Sequence, residues 1–395
     1  MATRASAPAA AVVSARGALR WQHGHPWIFR SDVLVAPVAG PGVVAVTERN
    51  GRPLGSALWS PASEISLRLL ERDPAVVVDG EWWFRALSRA ASRRAGLAGT
   101  TNAYRLVHGE GDALPSLVID RYDRWIVMQL LSAGLESCRD DIVAALLRVT
   151  EAEGVLARND AAIRTKENLP RSVEVLYGTV PDEIEVHEDG VRYLAAPRTG
   201  QKTGAFLDQR ENRLRIGAVA RGRALDCFSY HGSFALHLAR RADSVTALDS
   251  SAEALERAST NARLNGSDNI QFVEADAFVW LRDRERERQR FDTIVVDPPA
   301  FAKSKGALGP ALRGYHEINL RAMRLLAPGG LLFTASCSFH LTRARFLEML
   351  EGAAADSGRR LVLRGVFGQP IDHPEILTVP ESGYLKGALL ECTDA

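Results

Sequence analysis

Phe291-Asp-Thr-Ile-Val-Val-Asp-Pro-Pro-Ala-Phe-Ala-Lys303 runs from a β-branched strand directly into an acidic turn stiffened by two prolines. Ile294, Val295 and Val296 form the short apolar run expected of a strand buried on both faces of a parallel sheet. Asp297 should then emerge at the strand's carboxyl end, where open α/β sheets bind their ligands. Pro298 and Pro299 fix φ and donate no N–H, so the turn is rigid and its carbonyls are left to accept hydrogen bonds.

Around this stretch the last two hundred residues alternate strand and helix. Arg223–Phe228, Ser244–Asp249, Asn269–Asp276, Phe291–Asp297 and Gly330–Ser336 read as strands, with amphipathic stretches such as Ala252–Leu264 between them. That alternation implies right-handed crossovers and a doubly wound parallel sheet. Arg360–Val366 and Tyr384–Glu391, joined by what reads as a short Gly/Pro link, are expected to be an antiparallel pair closing the sheet edge. An acid stands at the end of each of the first four strands: Asp226, Asp249, Asp276 and Asp297. One such residue is commonly a helix cap, but four along one rim describe a cleft of acceptors. Asp249 is spaced to take both hydroxyls of a ribose, and Asp276 to take an adenine amino group. The turn Phe228-Ser-Tyr-His-Gly-Ser-Phe234 has a single glycine and makes a poor pyrophosphate cradle. A nucleoside cofactor with a positive charge and no pyrophosphate, S-adenosylmethionine, therefore fits better than NAD.

Composition bounds the rest. With 395 residues, 46% hydrophobic and 25% charged, the chain reads as an ordinary globular protein of several domains. No apolar run nears the roughly 20 residues that span a bilayer, and Val12-Val13 is too short for a signal-peptide core, so a cytoplasmic protein with a frayed start and no membrane partner is expected. Four scattered cysteines without a CxxC pair argue against a zinc site or a disulfide framework, and no metal is expected. Forty-nine basic against forty-eight acidic residues announce no nucleic-acid partner globally. Locally, residues 1–31 hold Arg4, Arg16, Arg20, Arg30, His23 and His25 with no acid, and Arg20-Trp-Gln-His-Gly-His-Pro-Trp-Ile-Phe-Arg30 interleaves bases with aromatics. Such interleaving suits stacking on nucleobases beside phosphate contacts, although Trp21, Trp27 and Phe29 serve equally well as core. Short strands near 42–47, 54–59 and 65–70 suggest a small β-barrel ending near Arg72, with a boundary at Asp73-Pro74. Residues 82–94 read as an amphipathic helix, and a compact α+β middle domain follows, with a second basic cluster at Arg158, Arg164, Lys166 and Arg171.

Lys202-Thr-Gly-Ala-Phe-Leu-Asp-Gln-Arg210, Cys227-Phe-Ser-Tyr230, Asp297-Pro-Pro-Ala-Phe301 and Ser336-Cys-Ser338 resemble the large-subunit ribosomal RNA cytosine-5 methyltransferases that carry an N-terminal PUA domain. The likeness extends over His25-Pro-Trp-Ile-Phe29, Gly111-Asp-Ala-Leu-Pro115 and Tyr384-Leu-Lys386, and is most specific in the C-terminal half. It implies a PUA-like barrel over 1–74, a central RNA-recognition domain over 75–190 and a Rossmann-like methyltransferase domain over 191–395. It also implies ribosomal RNA, free or partly assembled, as partner, with a homodimer open as an arrangement. The chain departs from the family's usual turn at His231 and Ser233. Phe206 against the cofactor, with Asp208 and Gln209 as polar contacts, follows from the same resemblance; a helix start capped by Thr203 is the plainer alternative. With Asp226, Phe228, Ser229, Tyr230, Gly232, Asp249, Ser250, Asp276, Ala277 and Asp297 these make the expected cofactor set.

Cys337 ends the fifth strand on the rim of Asp297, whereas Cys227 and Cys392 lie inside strands and Cys138 in a helix. Carbon 5 of cytosine is too weak a nucleophile to take a methyl group unaided, so the chemistry needs a covalent attack at carbon 6, and a thiolate is the natural attacker. Asp297, holding or donating a proton at N3, would stabilise the charge pushed into the ring. Cys337 and Asp297 are thus the catalytic candidates, and Arg20, His25, Trp27, Arg30, Lys202, Pro298, Pro299 and Lys303 the RNA-binding ones. Two alternatives stay open: methylation of a guanine or exocyclic nitrogen, which would not need Cys337, and an RNA-binding or assembly protein without cofactor affinity.

Overall fold

The computed structural model describes residues 10–302 and 305–394. Its contacts divide the chain into two units, one of residues 10–186, 195–207 and 371–382, the other of 187–194, 208–370 and 383–394.

In the first unit, β1 (Ala10–Val13), β2 (Trp27–Phe29), β3 (Val33–Val35), β4 (Gly42–Glu48), β5 (Pro53–Trp59) and β6 (Ile65–Glu71) form a six-stranded sheet in the order β2-β6-β5-β4-β1-β3. The start is not frayed at Val12-Val13: β1 pairs parallel with β4 and antiparallel with β3, and Val13 is buried. Helix α1 (Ala15–Gln22) follows, capped by Ser14, whose hydroxyl accepts from the Gly17 N–H. Alternate residues of β4 (Val44, Val46) face a core shared with Trp21 and Ile28. After α2 (Gly80–Arg94), a second sheet of five strands has the order β11-β10-β9-β8-β7: β7 (Ala103–His108), β8 (Leu117–Tyr122), β9 (Trp125–Leu130), β10 (Gly154–Asn159) and β11 (Ser172–Gly178). Helices α3 (Ala133–Glu136) and α4 (Arg139–Thr150) lie between β9 and β10, and the short α5 (Ile163–Lys166) after β10. Arg158 and Arg164, read as part of a basic cluster, are buried and spend their guanidinium groups on the Pro197 and Leu130 carbonyls and on Asp160 and Glu136. They anchor the chain internally instead of presenting charge.

β12 (Ile184–Glu188) and β13 (Val191–Ala195) form a two-stranded sheet. The second unit is built on a seven-stranded sheet of β14 (Arg223–Cys227), β15 (Ser244–Asp249), β16 (Ile270–Glu274), β17 (Phe291–Val296), β18 (Leu326–Ser336), β19 (Leu361–Phe367) and β20 (Lys386–Cys392), in the order β16-β15-β14-β17-β18-β20-β19. The first five strands are parallel, and β20 runs antiparallel between β18 and β19. Ile294 and Val296 join one apolar core with α9 (Ala277–Arg286), α10 (Leu308–Arg324) and α11 (Arg343–Ser357). Val295, on the opposite face, joins a second core with α6 (Arg210–Val219) and α7 (Ser233–Ala239). Burial on both faces is why the strand is a continuous apolar run. Helix α8 (Ala252–Leu264) starts at Ser251, whose hydroxyl accepts from the Ala254 N–H.

The link between β19 and β20 is longer than its Gly/Pro content implied. Residues 371–382 leave the sheet and belong to the first unit, where Asp372 accepts from the Arg105 N–H at 2.9 Å and its carbonyl from Arg94 at 2.8 Å.

Candidate functional site

Strand order reverses between β14 and β17: the chain proceeds outward to β15 and β16 on one side and to β18 on the other. The crevice outside the carboxyl ends of such strands is the general ligand site of open α/β sheets. Asp226, the penultimate residue of β14, and Asp297, immediately after β17, stand there.

Asp226 is 1% exposed. Its Oδ2 accepts from the Ser229 hydroxyl at 2.7 Å and the Ala235 N–H at 3.0 Å, while the buried Oδ1 has no partner. Burial pushes its carboxyl up to about 7, against the two hydrogen bonds, and the carboxylates of Asp297 and Asp249 add to the rise. The three acids therefore converge. Asp249 closes β15 and accepts from the Tyr230 N–H at 2.8 Å and the Ser251 N–H at 3.0 Å. A carboxylate has about four lone-pair sites, so it retains acceptor capacity. Asp276 corrects the expectation of four strand-end acids. β16 ends at Glu274, and Asp276 is the cap of α9, its Oδ1 accepting from the Val279 N–H at 3.0 Å. Ala277 is the buried first residue of that helix, and Ser250 is exposed beside Asp249.

The turn after β14 is unusual in backbone conformation. Phe228 (φ 64°), Tyr230 (φ 50°) and Gly232 (φ 83°) are all left-handed. For Phe and Tyr this costs on the order of 1 kcal/mol each, and such strain clusters at ligand sites. A Cβ on Gly232 would also meet the Ala258 Cβ at 3.0 Å, so the turn accepts glycine alone there. His231 is buried with both ring nitrogens unpartnered, its ring 5.1 Å from Tyr193 and 4.8 Å from Tyr230. Burial pushes it down to about 3, so it packs as a neutral ring. Ser233 opens α7. Together, an orphaned buried acceptor, spare carboxylate capacity and a strained turn fit a cationic nucleoside ligand.

Gln209 precedes α6 and donates from Nε2 to Asp297 Oδ1 at 2.8 Å. The Asn212 amide donates to Gln209 Oε1 at 2.7 Å, which fixes the orientation of the glutamine amide. Asp208 is buried and accepts from the Tyr384 hydroxyl at 2.8 Å. Thr203 caps no helix: its hydroxyl donates to Asp120 at 2.6 Å and meets the Tyr122 hydroxyl at 3.1 Å. Lys202 and Phe206 belong to the first unit, the Lys202 ammonium 4.6 Å from the Phe206 ring centre.

Cys337 is partly exposed and follows β18 directly. In the parallel β17–β18 pair the last register match is Val296 with Thr334, so Asp297 and Cys337 leave adjacent strands on one rim. Ser338 fastens their loops: its hydroxyl accepts from the Ala302 N–H at 3.2 Å and meets the Tyr315 hydroxyl at 2.9 Å. Tyr315 in turn accepts from the Phe301 N–H at 3.4 Å. Between Asp297 and Phe301, Pro298 is buried and Pro299 exposed. Cys138, Cys227 and Cys392 are buried, and burial raises the thiols of Cys138 and Cys227.

Of the expected RNA-binding residues, Arg30 is exposed, and Arg20 lies 4.5 Å over the Phe29 ring and 3.9 Å from Asp32. Trp27 donates to Glu110 at 2.8 Å, and His25 lies 3.4 Å from Glu381. Trp21 is core, its indole N–H given to the Pro26 carbonyl. Lys303 and Arg4 fall outside the described residues. Among the described residues no cluster of metal-ligating side chains occurs, and no helix is long and apolar enough to cross a membrane.

Residues 104–376 match the S-adenosylmethionine-dependent methyltransferase family and residues 12–72 a PUA-like domain. A ribosomal RNA large subunit methyltransferase I from Aeromonas hydrophila is 41% identical, covering 93% of this chain and 95% of its own. The chain belongs to that methyltransferase family. The Klebsiella pneumoniae member is 39% identical, over 92% of this chain and 93% of its own. In fold, this methyltransferase superposes on a candidate SAM-dependent methyltransferase from Streptococcus mutans with a TM-score of 0.82 at 22% identity, covering 97% and 100% of the two chains. A further structure, solved with SAH, gives 0.84 at the same identity. S-adenosylmethionine is the cofactor of the family, and the acids and turn above fit it.

The sequence named Asp226, Asp297, Gln209 and Cys337, but not Asn212, Tyr315, Ser338 or Lys386 as part of this rim. Lys386 carried the clearest signal: a charge opening an otherwise apolar strand, Lys386-Gly-Ala-Leu-Leu390.

Proposed function

We propose that this protein methylates carbon 5 of a cytosine in large-subunit ribosomal RNA, in the cytoplasm, through a covalent adduct at Cys337. The observation that carries this reading is the pair of adjacent strand ends. A partly exposed thiol and an acid leave β18 and β17 on one rim, with their loops tied together at Ser338. The three other cysteines are buried.

In the proposed reaction the Cys337 thiolate attacks carbon 6, a sulfur–carbon bond forms, and the π pair of the 5,6 double bond becomes available at carbon 5. S-adenosylmethionine supplies an electrophilic methyl group there and leaves as S-adenosylhomocysteine. Water then takes the carbon 5 proton, the electron pair re-forms the double bond, and Cys337 departs as thiolate. Asp297, oriented by the Gln209 amide that donates to its Oδ1, would act on the N3–N4 edge of the base and stabilise the charge the attack generates. Asp226 and Asp249 would hold the cofactor's cationic and ribose groups, with Asp276, Ala277, Ser250 and the Phe228–Gly232 turn lining the rest, and Asp208 supporting through Tyr384. The base must be unstacked to reach the rim, at a few kcal/mol. Contacts of Arg20, His25, Trp27, Arg30 and Lys202 with RNA would offset that, as would Lys303, Pro298 and Pro299 beside the target. Within this division of labour, residues 1–74 act as the PUA-like RNA module, 75–190 as the central recognition domain and 191–395 as the catalytic one.

Cys337→Ala tests the mechanism. Methyl transfer to ribosomal RNA should fall by at least about a thousandfold while S-adenosylmethionine binding survives. Substantial residual activity would instead favour methylation of a base nitrogen, for which an acidic Pro-Pro turn also serves. Absence of cofactor binding in the unaltered protein would favour a non-catalytic RNA-binding role. Mapping methylated positions in ribosomal RNA with and without the protein identifies the base.

A further inference from the structure

β20 begins with a lysine that is 3% exposed. In the antiparallel β18–β20 pair its Cα stands opposite Ser336, the residue before Cys337. Its Nζ donates to the carbonyl of Ser338, the residue after Cys337, at 2.6 Å, and to the Tyr384 carbonyl at 2.7 Å. The ammonium thus sits across the three-residue segment that carries the thiol. An ammonium has three N–H donors, and two are committed to these carbonyls, leaving one.

A buried ammonium facing only neutral carbonyls is costly, and a lysine of this kind is kept where its charge meets an anion. Burial pushes the Lys386 ammonium down to about 8, and the sulfur of Cys337 pushes it back up. Tyr315 from α10, whose phenol is raised chiefly by burial, and Arg343 at the start of α11, which opposes the lysine's charge, also bear on this pair. Among the described groups that bear on Lys386, the sulfur of Cys337 is the one that raises it, so the sulfur is the anion its charge would meet.

We propose that Lys386 is a positioning residue for Cys337: its ammonium holds the sulfur as thiolate and, through the Ser338 carbonyl, fixes the loop that presents it. The proposal rests on the assignment of Cys337 as nucleophile, and supplies the positive neighbourhood that a thiol ordinarily titrating near 8.5 needs to attack at neutral pH.

The pH profile of alkylation tests it. Iodoacetamide modification of Cys337, quantified on its own peptide by mass spectrometry, is followed from pH 5 to 10 in the full-length protein and in Lys386→Met and Lys386→Arg, with S-adenosylmethionine binding as the folding control. The wild-type midpoint should lie below about 8.5. Lys386→Met should raise it by about one unit and slow alkylation at pH 7 about tenfold, while Lys386→Arg keeps it low. A wild-type midpoint at or above 8.5, or an unchanged midpoint in a Met variant that still binds cofactor, overturns the proposal. Where Lys386→Met no longer binds cofactor, Lys386→Gln against Lys386→Arg decides on the same criterion. Because alkylation reads ionisation and not methyl transfer, the lysine's role can fail while Cys337→Ala still abolishes activity, and the reverse.

Discussion

Asp226 is the residue whose protonation should be visible in function. Its carboxyl is pushed up to about 7 by burial and by its two acidic neighbours, and its Oδ1 is an unpartnered acceptor. A cationic ligand prefers the carboxylate, so cofactor binding should draw a proton off this group and weaken as pH falls through 7. With a midpoint near 7 the ionised fraction rises about tenfold from pH 6 to 8. The ratio of wild-type to Asp226→Asn affinity for S-adenosylmethionine, measured by calorimetry, should rise by about that factor, the variant cancelling titration of the cofactor's own amino group. A flat ratio would remove Asp226 from the cation's contacts. This acid was legible in the sequence because a strand end is a one-dimensional signal. Tyr315 was not, and Lys386 and Ser338 entered only as parts of motifs and without a role, because what brings these three to the thiol is an antiparallel register and a helix face.

At the level of elements, α6, α7 and the end of β12 meet in a buried ionic cluster. Glu188 accepts from Arg213 twice at 2.6 Å, with His237 at 3.0 Å and the Tyr193 hydroxyl at 3.1 Å. Burial alone would raise the Glu188 carboxyl, but the Arg213 guanidinium and His237 hold it well below the usual range, and Glu188 in turn raises Arg213. A carboxyl lowered by folding contributes stability that is complete above its unfolded value of about 4.3 and is lost as acidification protonates the native state. Glu188→Gln removes the charge that lies closest to the buried Arg213 guanidinium in this cluster. It should destabilise the protein by about 3–5 kcal/mol at pH 7, with the difference from wild type shrinking in acid, as read by urea denaturation. Nothing in the order of residues marked this cluster: Glu188, Arg213 and His237 are scattered charges until two helices and a strand converge. The central strands β14, β15 and β17, by contrast, were legible to within a residue, β17 because burial on both faces writes it as an unbroken apolar run, whereas β18 starts four residues before the expected Gly330 and β16 ends two before Asp276.

For the whole molecule, the alternation of strands and helices disclosed the methyltransferase sheet, whereas the return of residues 371–382 to the first unit was hidden behind a Gly/Pro-containing stretch that reads as a plain link. Basic composition misled in the same way. Arg158 and Arg164 are internal anchors, and Arg16 and Arg20 share the buried Asp32. Arg30 is exposed, as are Arg16 and His23. If the first unit supplies RNA affinity and the second the cofactor site, the two should be separable in the intact protein. Arg30→Ala should weaken binding of a large-subunit RNA fragment, by fluorescence anisotropy, to a similar degree for every sequence tried. It should also reduce the slope of log affinity against log salt by about one, the mark of a lost phosphate contact. S-adenosylmethionine affinity should be unchanged. An unaltered salt slope would mean that the RNA backbone does not run past Arg30, and that the charge serving it lies elsewhere in the chain.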